Sequence, residues 1–275
     1  MSVVKNELYR AFSNRLFFIA LGLGMIVAVL HVAFVAAPYA LSDAWALWRE
    51  GAKGVYPPSL FNTYIGMTPY SVFTVILFYL VPALACIPYG ESSCVAVETG
   101  YASQMVVRSG RVRYFASKAL AAALAGGCVV VAPMAANFLL AACFVPALAP
   151  EPAAMTFQVP PFSMLADFFY AHPYAYVFLF FALAFLLACW AGVTSTALGF
   201  FVRNRFAVVL APLALCVVLQ FLFQGTPLAG ISPLDAILPF QPYNMSFSVV
   251  LVVAAVSFSA VVVAVVVKSR AYEGI

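Results

Sequence analysis

The sequence SVVLVVAAVSFSAVVVAVVV, residues 248–267, decides the fold class of this chain. It is 20 residues long and contains no charged side chain. An α-helix rises about 1.5 Å per residue, so about 20 apolar residues cross the hydrocarbon core of a bilayer, which is about 30 Å thick. A strand of a membrane barrel would alternate apolar and polar residues, and this run does not. The stretch therefore predicts a membrane-spanning helix.

The rest of the chain has the same apolar character. Of its 275 residues, 66% are hydrophobic and 8% are charged, and the mean hydropathy is +1.06. Because a soluble domain is only about half apolar, this composition indicates an all-α integral membrane protein. The connections leave no room for a soluble domain, so residues 1–275 are expected to form one transmembrane domain. Uncharged apolar runs predict six transmembrane helices: Leu16–Ala37, Ser71–Tyr89, Ala116–Val145, Tyr174–Val202, Ala207–Gln224 and Phe247–Val267.

The basic residues predict the orientation of these helices. If the N-terminus is cytoplasmic, only Arg49 and Lys53 of the 13 Lys and Arg residues lie outside, which leaves eleven inside. The positive-inside rule therefore places both termini in the cytoplasm. The net charge of +4 follows from this topology and does not indicate nucleic-acid binding. We expect a multi-pass protein of the plasma membrane, of bacterial origin.

Residues that carry catalysis or bind cofactors are not recognisable in the sequence. His31 and His172 lack a second ligand at metal spacing, the six cysteines occur singly, and Ser195 lacks a GxSxG context. No GxxxxGK[ST] motif occurs, so the chain is not expected to bind nucleotide. We predict no enzyme activity, no catalytic or metal-binding residue and no cofactor in this chain.

The acidic residues argue against one class of transporter. Carriers driven by protons or sodium ions usually keep a carboxylate near the middle of the membrane, where a charge costs about 2.5–3.5 kcal/mol. None of the nine acidic residues lies inside a predicted span, so a secondary carrier is less favoured. Sodium coordinated by backbone carbonyls would not be detected by this argument. Four polar residues in the spans either hydrogen-bond between helices or line a path: His31, Asn137, Gln220 and Gln224.

The first 15 residues predict a short amphipathic helix. The apolar side chains of SVVKNELYRAFSNR, residues 2–15, recur at helical spacing, and Glu7 and Arg10 belong to the remaining polar arc. Such a helix lies in the cytoplasmic interface of the membrane, with Leu8 and Phe12 on its apolar face. The alternative is a cytoplasmic extension of the first span, and periodicity alone does not distinguish the two.

The loop between the second and third spans, residues 90–115, is longer than a connection between two spans needs. Its first half predicts a short helix from about Glu91 to Glu98, which Gly100 ends or breaks, and Ser109 and Gly110 disfavour a continuous helix further on. Bases beside a span anchor it to anionic lipid, which accounts for most of the basic residues here. The length of the loop and its acids indicate in addition a surface for a cytoplasmic partner. The basic residues are Arg108, Arg111, Arg113 and Lys118.

The order of these features resembles the membrane permease subunits of type 2 ABC exporters. The resemblance covers most of the chain in architecture. At the level of residues it lies in KNELYRAF (residues 5–12), in VPALACIPYG (residues 81–90) and in the acids and bases from Glu91 to Lys118. It is concentrated between Pro82 and Lys118.

The resemblance implies two six-helix permease subunits around a translocation path, with two cytoplasmic ATPase subunits that bind ATP and Mg²⁺. The loop at residues 90–115 would hold a coupling helix in a groove of the ATPase. In that arrangement Glu91 and Glu98 contact the ATPase, Gly100 forms the turn, and the four basic residues form the hinge to the third span. The amphipathic helix at residues 1–15 would also touch the ATPase.

The function expected from the sequence is export of a hydrophobic or amphipathic cargo, such as a lipid, a peptide or a drug-like molecule. Its basis is the absence of charge from the predicted spans. A noncatalytic membrane assembly subunit and a secondary carrier are the alternatives. The sequence does not specify the cargo, the residues that contact it, or whether the permease pairs with itself or with a related chain. It indicates the direction of transport only through the family resemblance.

Overall fold

In the computed structural model of the chain, residues 3–51, 57–151, 159–224, 226, 228, 231–241 and 245–271 are described. This part consists of helices, turns and irregular connections without a strand, which confirms the predicted helical class. Lys53, one of the two bases expected outside, is not among the described residues. The side chains of Lys268 and Arg270, expected in the cytoplasm, also lie outside the described part.

The main helices follow one another along the chain with short helical segments between them. After α2 the chain continues through a π-helical turn, Val32–Ala36, and one further turn of helix, Ala37–Ala40. The main helices are α1 (Val3–Phe12), α2 (Arg15–His31), α3 (Val72–Cys86), α4 (Ser92–Glu98), α5 (Tyr101–Ser109), α6 (Arg111–Ala142), α7 (Pro173–Leu198), α8 (Arg205–Phe223) and α9 (Phe247–Ala271). The connections contain Ala44–Arg49, Leu60–Thr63, Ile65–Met67, Ala166–Ala171 and Pro233–Ala236.

Five segments of the described chain are long and apolar enough to cross a membrane. The predicted second span, Ser71–Tyr89, contains the apolar 15-residue helix α3. Its length of about 22 Å is less than the hydrocarbon thickness of about 30 Å. A helical membrane protein is therefore found, while six spans with cytoplasmic termini remain a prediction. The five segments are Arg15–Arg49, Arg111–Ala142, Pro173–Leu198, Arg205–Phe223 and Phe247–Val267.

Helix α6 lies at the centre of the packing, where it contacts α1, α2, α3 and α7. Gly126 lets the backbones of three helices approach closely. A Cβ atom on this residue would lie 2.6 Å from the carbonyl oxygen of Ala85 on α3 and 3.3 Å from that of Ala188 on α7. Gly192 on α7 faces the carbonyl oxygen of Ala122 in the same way, at 2.7 Å. Small residues therefore set the spacing of α3, α6 and α7, as is common in membrane proteins.

Large apolar side chains cover much of the outside of the bundle. On α8, Phe206 and Phe221 are 82% and 70% exposed. In the most apolar part of α9, only 6% of the residues are buried. An apolar surface of this extent is typical of contact with lipid or with another protein chain, because contact with water would be unfavourable.

A closed ring of hydrogen bonds joins α2, α6 and the chain that leads into α3. The amide of Ile65 donates to Oδ1 of Asn137 (2.8 Å), and Nδ2 of Asn137 donates to Nδ1 of His31 (3.1 Å). Nε2 of His31 lies 2.8 Å from Oγ1 of Thr68, which lies 2.8 Å from Oγ1 of Thr74. Thr74 then donates to the carbonyl of Ile65 (3.0 Å). Interhelical hydrogen bonding, one of the two roles predicted for His31 and Asn137, is confirmed.

Asp235 lies in an outer loop by the sequence prediction, and the structure buries it against the end of α8. Nε2 of Gln220 donates to Oδ1 of Asp235 (2.7 Å), and Oγ of Ser232 donates to Oε1 of Gln220 (2.6 Å). Desolvation by burial raises the pKa of Asp235, and the hydrogen bond from Gln220 and the neighbouring hydroxyl of Ser232 offset this shift only in part. The three side chains together fix the loop to α8.

Asp235 is expected to make the stability of the protein depend on pH. Because its pKa is higher in the folded state than in the unfolded state, protonation contributes stability that is lost as the pH rises through the folded-state pKa. Asp235→Asn keeps a neutral side chain at every pH, so its thermal unfolding temperature should fall less than that of the parent as the pH is raised from acid to neutral. Measuring the thermal unfolding temperatures of both proteins in detergent across this pH range tests the prediction. Identical pH profiles for the two proteins would contradict it.

Gly126→Ala is expected to destabilise the protein by about 1–3 kcal/mol, because the new Cβ would overlap backbone atoms that cannot rotate away. Gly22→Ala on α2 is the matched control, since nothing lies within 4 Å of the position of its Cβ. Alanine also favours a helix over glycine by about 1 kcal/mol. In detergent, the thermal unfolding temperature of Gly126→Ala should therefore be lower than that of the parent, and that of Gly22→Ala should be equal to it or higher. A Gly126→Ala protein as stable as the parent would contradict the close packing.

Candidate functional site

Residues 91–118 fold into an elbow, which consists of two short helices, two glycine turns and the first two turns of α6. Gly100 separates α4 from α5 with a φ of 69°, and Gly110 separates α5 from α6 with a φ of 82°. Both angles lie in the region that favours glycine, because a Cβ would be strained there. The helix predicted from about Glu91 to Glu98 is found at Ser92–Glu98, and the predicted interruptions at Gly100 and Gly110 are found as well.

The carboxylate of Glu7 joins α1 to the elbow and to the end of α3. Its side chain is fully buried. The hydroxyl of Tyr89 donates to Oε2 (2.5 Å) and that of Tyr101 to Oε1 (3.4 Å). Nζ of Lys118 lies 3.6 Å from Oε2, and Nη1 of Arg10 lies 3.5 Å from Oε1. A buried carboxylate is tolerated when hydrogen bonds and opposite charges replace its hydration, as they do here.

The placement of Glu7 on the polar arc of the N-terminal helix was wrong. In the structure, Glu7 and Ala11 form the buried face of α1 against α6, while Leu8 and Phe12 are partly buried at its edges. Tyr9, on the opposite side, is 68% exposed. On a helical wheel Glu7 lies only about 40° from Ala11, so it borders the predicted apolar arc. This position beside the apolar arc was the one indication in the sequence that Glu7 is buried. The residues that make its burial favourable are distant along the chain.

Lys118 also differs from the expectation of a basic residue beside the membrane. Its side chain is 1% exposed. The ammonium lies 4.9 Å from the ring centre of Tyr89 and 5.7 Å from that of Tyr114, within reach of cation–π attraction. Lys118 is thus an internal partner of Glu7. The carboxylate and the aromatic rings compensate its charge electrostatically, while Nζ has no hydrogen-bond partner among the described residues.

Helix α4 rests on the turn that connects α7 to α8. A Cβ on Gly199 in this turn would lie 2.9 Å from Cβ of Ser93, so α4 and the turn are in close contact. Sγ of Cys94 donates to the carbonyl of Val202 (3.3 Å). Glu98 forms an ion pair with Arg205, the first residue of α8. Both side chains of that pair are more than a third exposed, so solvent screens the pair and its contribution to stability is small.

The remaining predicted residues lie on the outside of the elbow. Glu91 is partly buried at the start of α4, whereas Arg108, Arg111 and Arg113 are exposed. Val107 beside them is 87% exposed. The structure therefore separates the four basic residues, with three on the surface and Lys118 inside. Exposed bases next to an exposed apolar side chain fit an anionic membrane surface or a protein partner.

The elbow joins four helices of the bundle. It links α1, α6, α7 and α8 through buried and surface contacts. Within the described residues, no group of three or more His, Cys, Asp and Glu side chains could hold a metal ion.

No family model matches the chain, and no curated protein and no solved structure matches it. The resemblance to type 2 ABC permeases therefore rests on the order of the helices and on the residues between Pro82 and Lys118.

Glu7→Gln is expected to destabilise the protein by about 3–5 kcal/mol, because it leaves the buried Lys118 without its counter-ion. Arg10→Gln is the matched control. Arg10 pairs with the same carboxylate but is 38% exposed, so its loss should cost at most about 1 kcal/mol. Thermal unfolding in detergent measures both effects, and limited proteolysis within residues 3–15 reports release of α1.

The double substitution Glu7→Gln with Lys118→Met separates the ion pair from general packing. It removes both buried charges, so most of the stability lost in Glu7→Gln should return. Losses that simply add would show that the two side chains do not interact.

Proposed function

We propose that this chain is the membrane permease subunit of a type 2 ABC exporter in a bacterial plasma membrane. It has six transmembrane helices with both termini in the cytoplasm, and it transmits ATP hydrolysis from a separate ATPase subunit to the transport path. The observation that carries the proposal is the elbow after α3, which is tied to α1 by the buried pair of Glu7 and Lys118. ATP and Mg²⁺ are bound by the ATPase and not by this chain.

The contacts of the elbow support a role in transmitting force. A displacement of α4 would be transmitted to the turn between α7 and α8 through the contact with Gly199 and through the ion pair of Glu98 and Arg205. The same displacement would reach α6 through α5, and α1 through Glu7. Because the contacts of Gly199 and Glu7 are buried, we expect the elbow to move together with α1, α6 and α7.

The charged residues on the outer face of the elbow support the proposal that a cytoplasmic ATPase is the partner. Glu98 is exposed although it pairs with Arg205, and Glu91 is partly buried, so both can contribute acidic groups to a surface for an ATPase. Arg108, Arg111 and Arg113 are exposed, and their positive charge would favour acidic groups of that partner or lipid phosphates. Helix α1 lies beside the elbow and belongs to the same contact surface.

The outside of the bundle supports pairing with a second permease subunit, identical or related. The face of α9 is almost wholly unburied and apolar, so it is available to a second chain or to lipid. The exported cargo is hydrophobic or amphipathic, in keeping with the apolar character of the spanning segments.

Purification from a host that expresses the chain with its genomic neighbours tests the function directly. In mild detergent we expect a stoichiometric ATPase to remain bound and to hydrolyse ATP in a vanadate-sensitive manner. Recovery of the chain without any nucleotide-binding partner would instead favour a secondary carrier or a membrane assembly subunit.

Charge reversal at Glu91 and Glu98 tests the contact surface. We expect Glu91→Lys with Glu98→Lys to reduce the amount of ATPase recovered per permease about tenfold, the effect of a loss of about 1.4 kcal/mol. Glu50→Lys, an exposed acid on the opposite side of the predicted membrane, is the matched control and should retain the ATPase.

The pairing of Glu98 with Arg205 requires a second control. Glu98→Lys with Arg205→Glu restores an internal ion pair but keeps the reversed charge on α4. Loss of the ATPase in this variant would assign the effect to the partner surface. Recovery of the ATPase would assign it to the internal pair. Membrane insertion should be unchanged in every variant.

A further inference from the structure

A cavity of ≈ 500 Å³ lies between the end of the first long helical segment and the chain that leads into α3. Val35 and Tyr39 line one side, and residues between positions 62 and 71 line the other. Its volume falls within the range of about 300–1,000 Å³ that is typical of small-molecule sites. The cavity lies at the far end of α2 from the elbow, and the proposed coupling does not use it.

The wall of the cavity combines apolar surface with hydrogen-bonding groups. Val35 and Met67 supply apolar contacts, and Tyr39, Thr68 and Ser71 supply hydroxyl groups. Oγ of Ser71 is buried without a hydrogen-bond partner among the described residues, so a ligand can provide one. The described residues that line the cavity include no Lys, Arg, Asp, Glu or His.

The cavity is preformed, because hydrogen bonds hold the chain beneath it. Thr68 lines the cavity and is also a member of the closed ring that includes His31 on α2. Nearby, Thr63 donates to the carbonyl of Ser59 (2.6 Å), and the amide of Ser59 donates to Oδ1 of Asn62 (3.0 Å). A site that is rigid before binding requires little ordering when the ligand enters, which favours affinity.

We propose that this cavity binds a neutral amphipathic molecule with hydroxyl or carbonyl groups on an apolar body. A charged ligand would lose hydration there without gaining a counter-ion from the described residues that line the cavity. The same chemistry occurs in two sources, a neutral bilayer lipid such as diacylglycerol and a water-soluble amphipathic molecule. A role of the site for exported cargo rests on the proposed function, whereas its occupancy is a property of this chain alone.

Photolabelling of the full chain in lipid nanodiscs, without an ATPase, tests the site. The probe is a monoacylglycerol with a diazirine on its acyl chain, and the control probe is the same molecule with a phosphate on the glycerol. We expect saturable labelling of peptides that contain residues 35–39 and 62–71. The phosphorylated probe should bind there at least about tenfold more weakly, a difference of about 1.4 kcal/mol.

Two neighbouring substitutions distinguish the cavity from the lipid-facing surface. Val35→Trp fills the cavity and should abolish saturable labelling of these peptides. Phe34→Trp is the matched control, because Phe34 is 67% exposed on the outside of the helix, and it should leave labelling unchanged. Should Val35→Trp unfold the protein, Ser71→Ala removes one hydroxyl without adding bulk and should weaken labelling several-fold.

Equal labelling by the two probes would overturn the proposal, and so would labelling that the cavity substitutions leave unchanged. Competition by diacylglycerol in the nanodisc or by octyl glucoside from water identifies the source, and a failure of both to compete would also overturn it. Saturable labelling of a chain that copurifies with no ATPase would leave the site intact and remove only the export function.

Discussion

The packing at the elbow end of the bundle depends on the burial of one carboxylate, that of Glu7. A charge removed from water must recover its hydration energy from neighbouring groups, and here those groups come from α1, the end of α3, α5 and α6. Any rearrangement that moves α1 away from these groups leaves the carboxylate of Glu7 without part of its compensation, which is energetically unfavourable. The N-terminal helix is therefore held by an electrostatic requirement as well as by apolar contact.

Helix α6 connects this charged centre to the polar ring at the other end of the molecule. It carries Lys118 at one end and Asn137 at the other, and the rise of an α-helix places them about 28 Å apart. That distance is close to the hydrocarbon thickness of a bilayer, about 30 Å. A single helix with a buried polar residue near each end therefore positions the elbow relative to the cavity beside α2. Small residues such as Gly126 bring α3 and α7 against it along the length between the two anchors.

The features that the sequence predicts well are those that local physics determines. Apolar runs mark the helices because length and hydrophobicity suffice, and glycines at positions 100 and 110 mark the interruptions because φ is positive there. The buried site was not predictable in the same way. Glu7 and Tyr89 are 82 positions apart and His31 and Asn137 are 106 apart, so no local pattern shows that they meet. The sequence analysis assigned Glu7 and Lys118 to the surface because both are charged. In the structure both are buried, because the charge of each is compensated by the opposite charge of the other.

The closed ring around His31 has a consequence for proton movement. Nδ2 of Asn137 can only donate a hydrogen bond, so Nδ1 of His31 accepts it. The ring proton is therefore on Nε2 and is directed at Thr68. Each hydrogen then points to the next group in one direction, and the sequence begins at the amide of Ile65 and ends at the carbonyl of the same residue. Neither backbone group takes up or releases a proton under ordinary conditions. His31 thus connects the helices through hydrogen bonds, and this ring does not carry protons through the part of the chain that the structure describes.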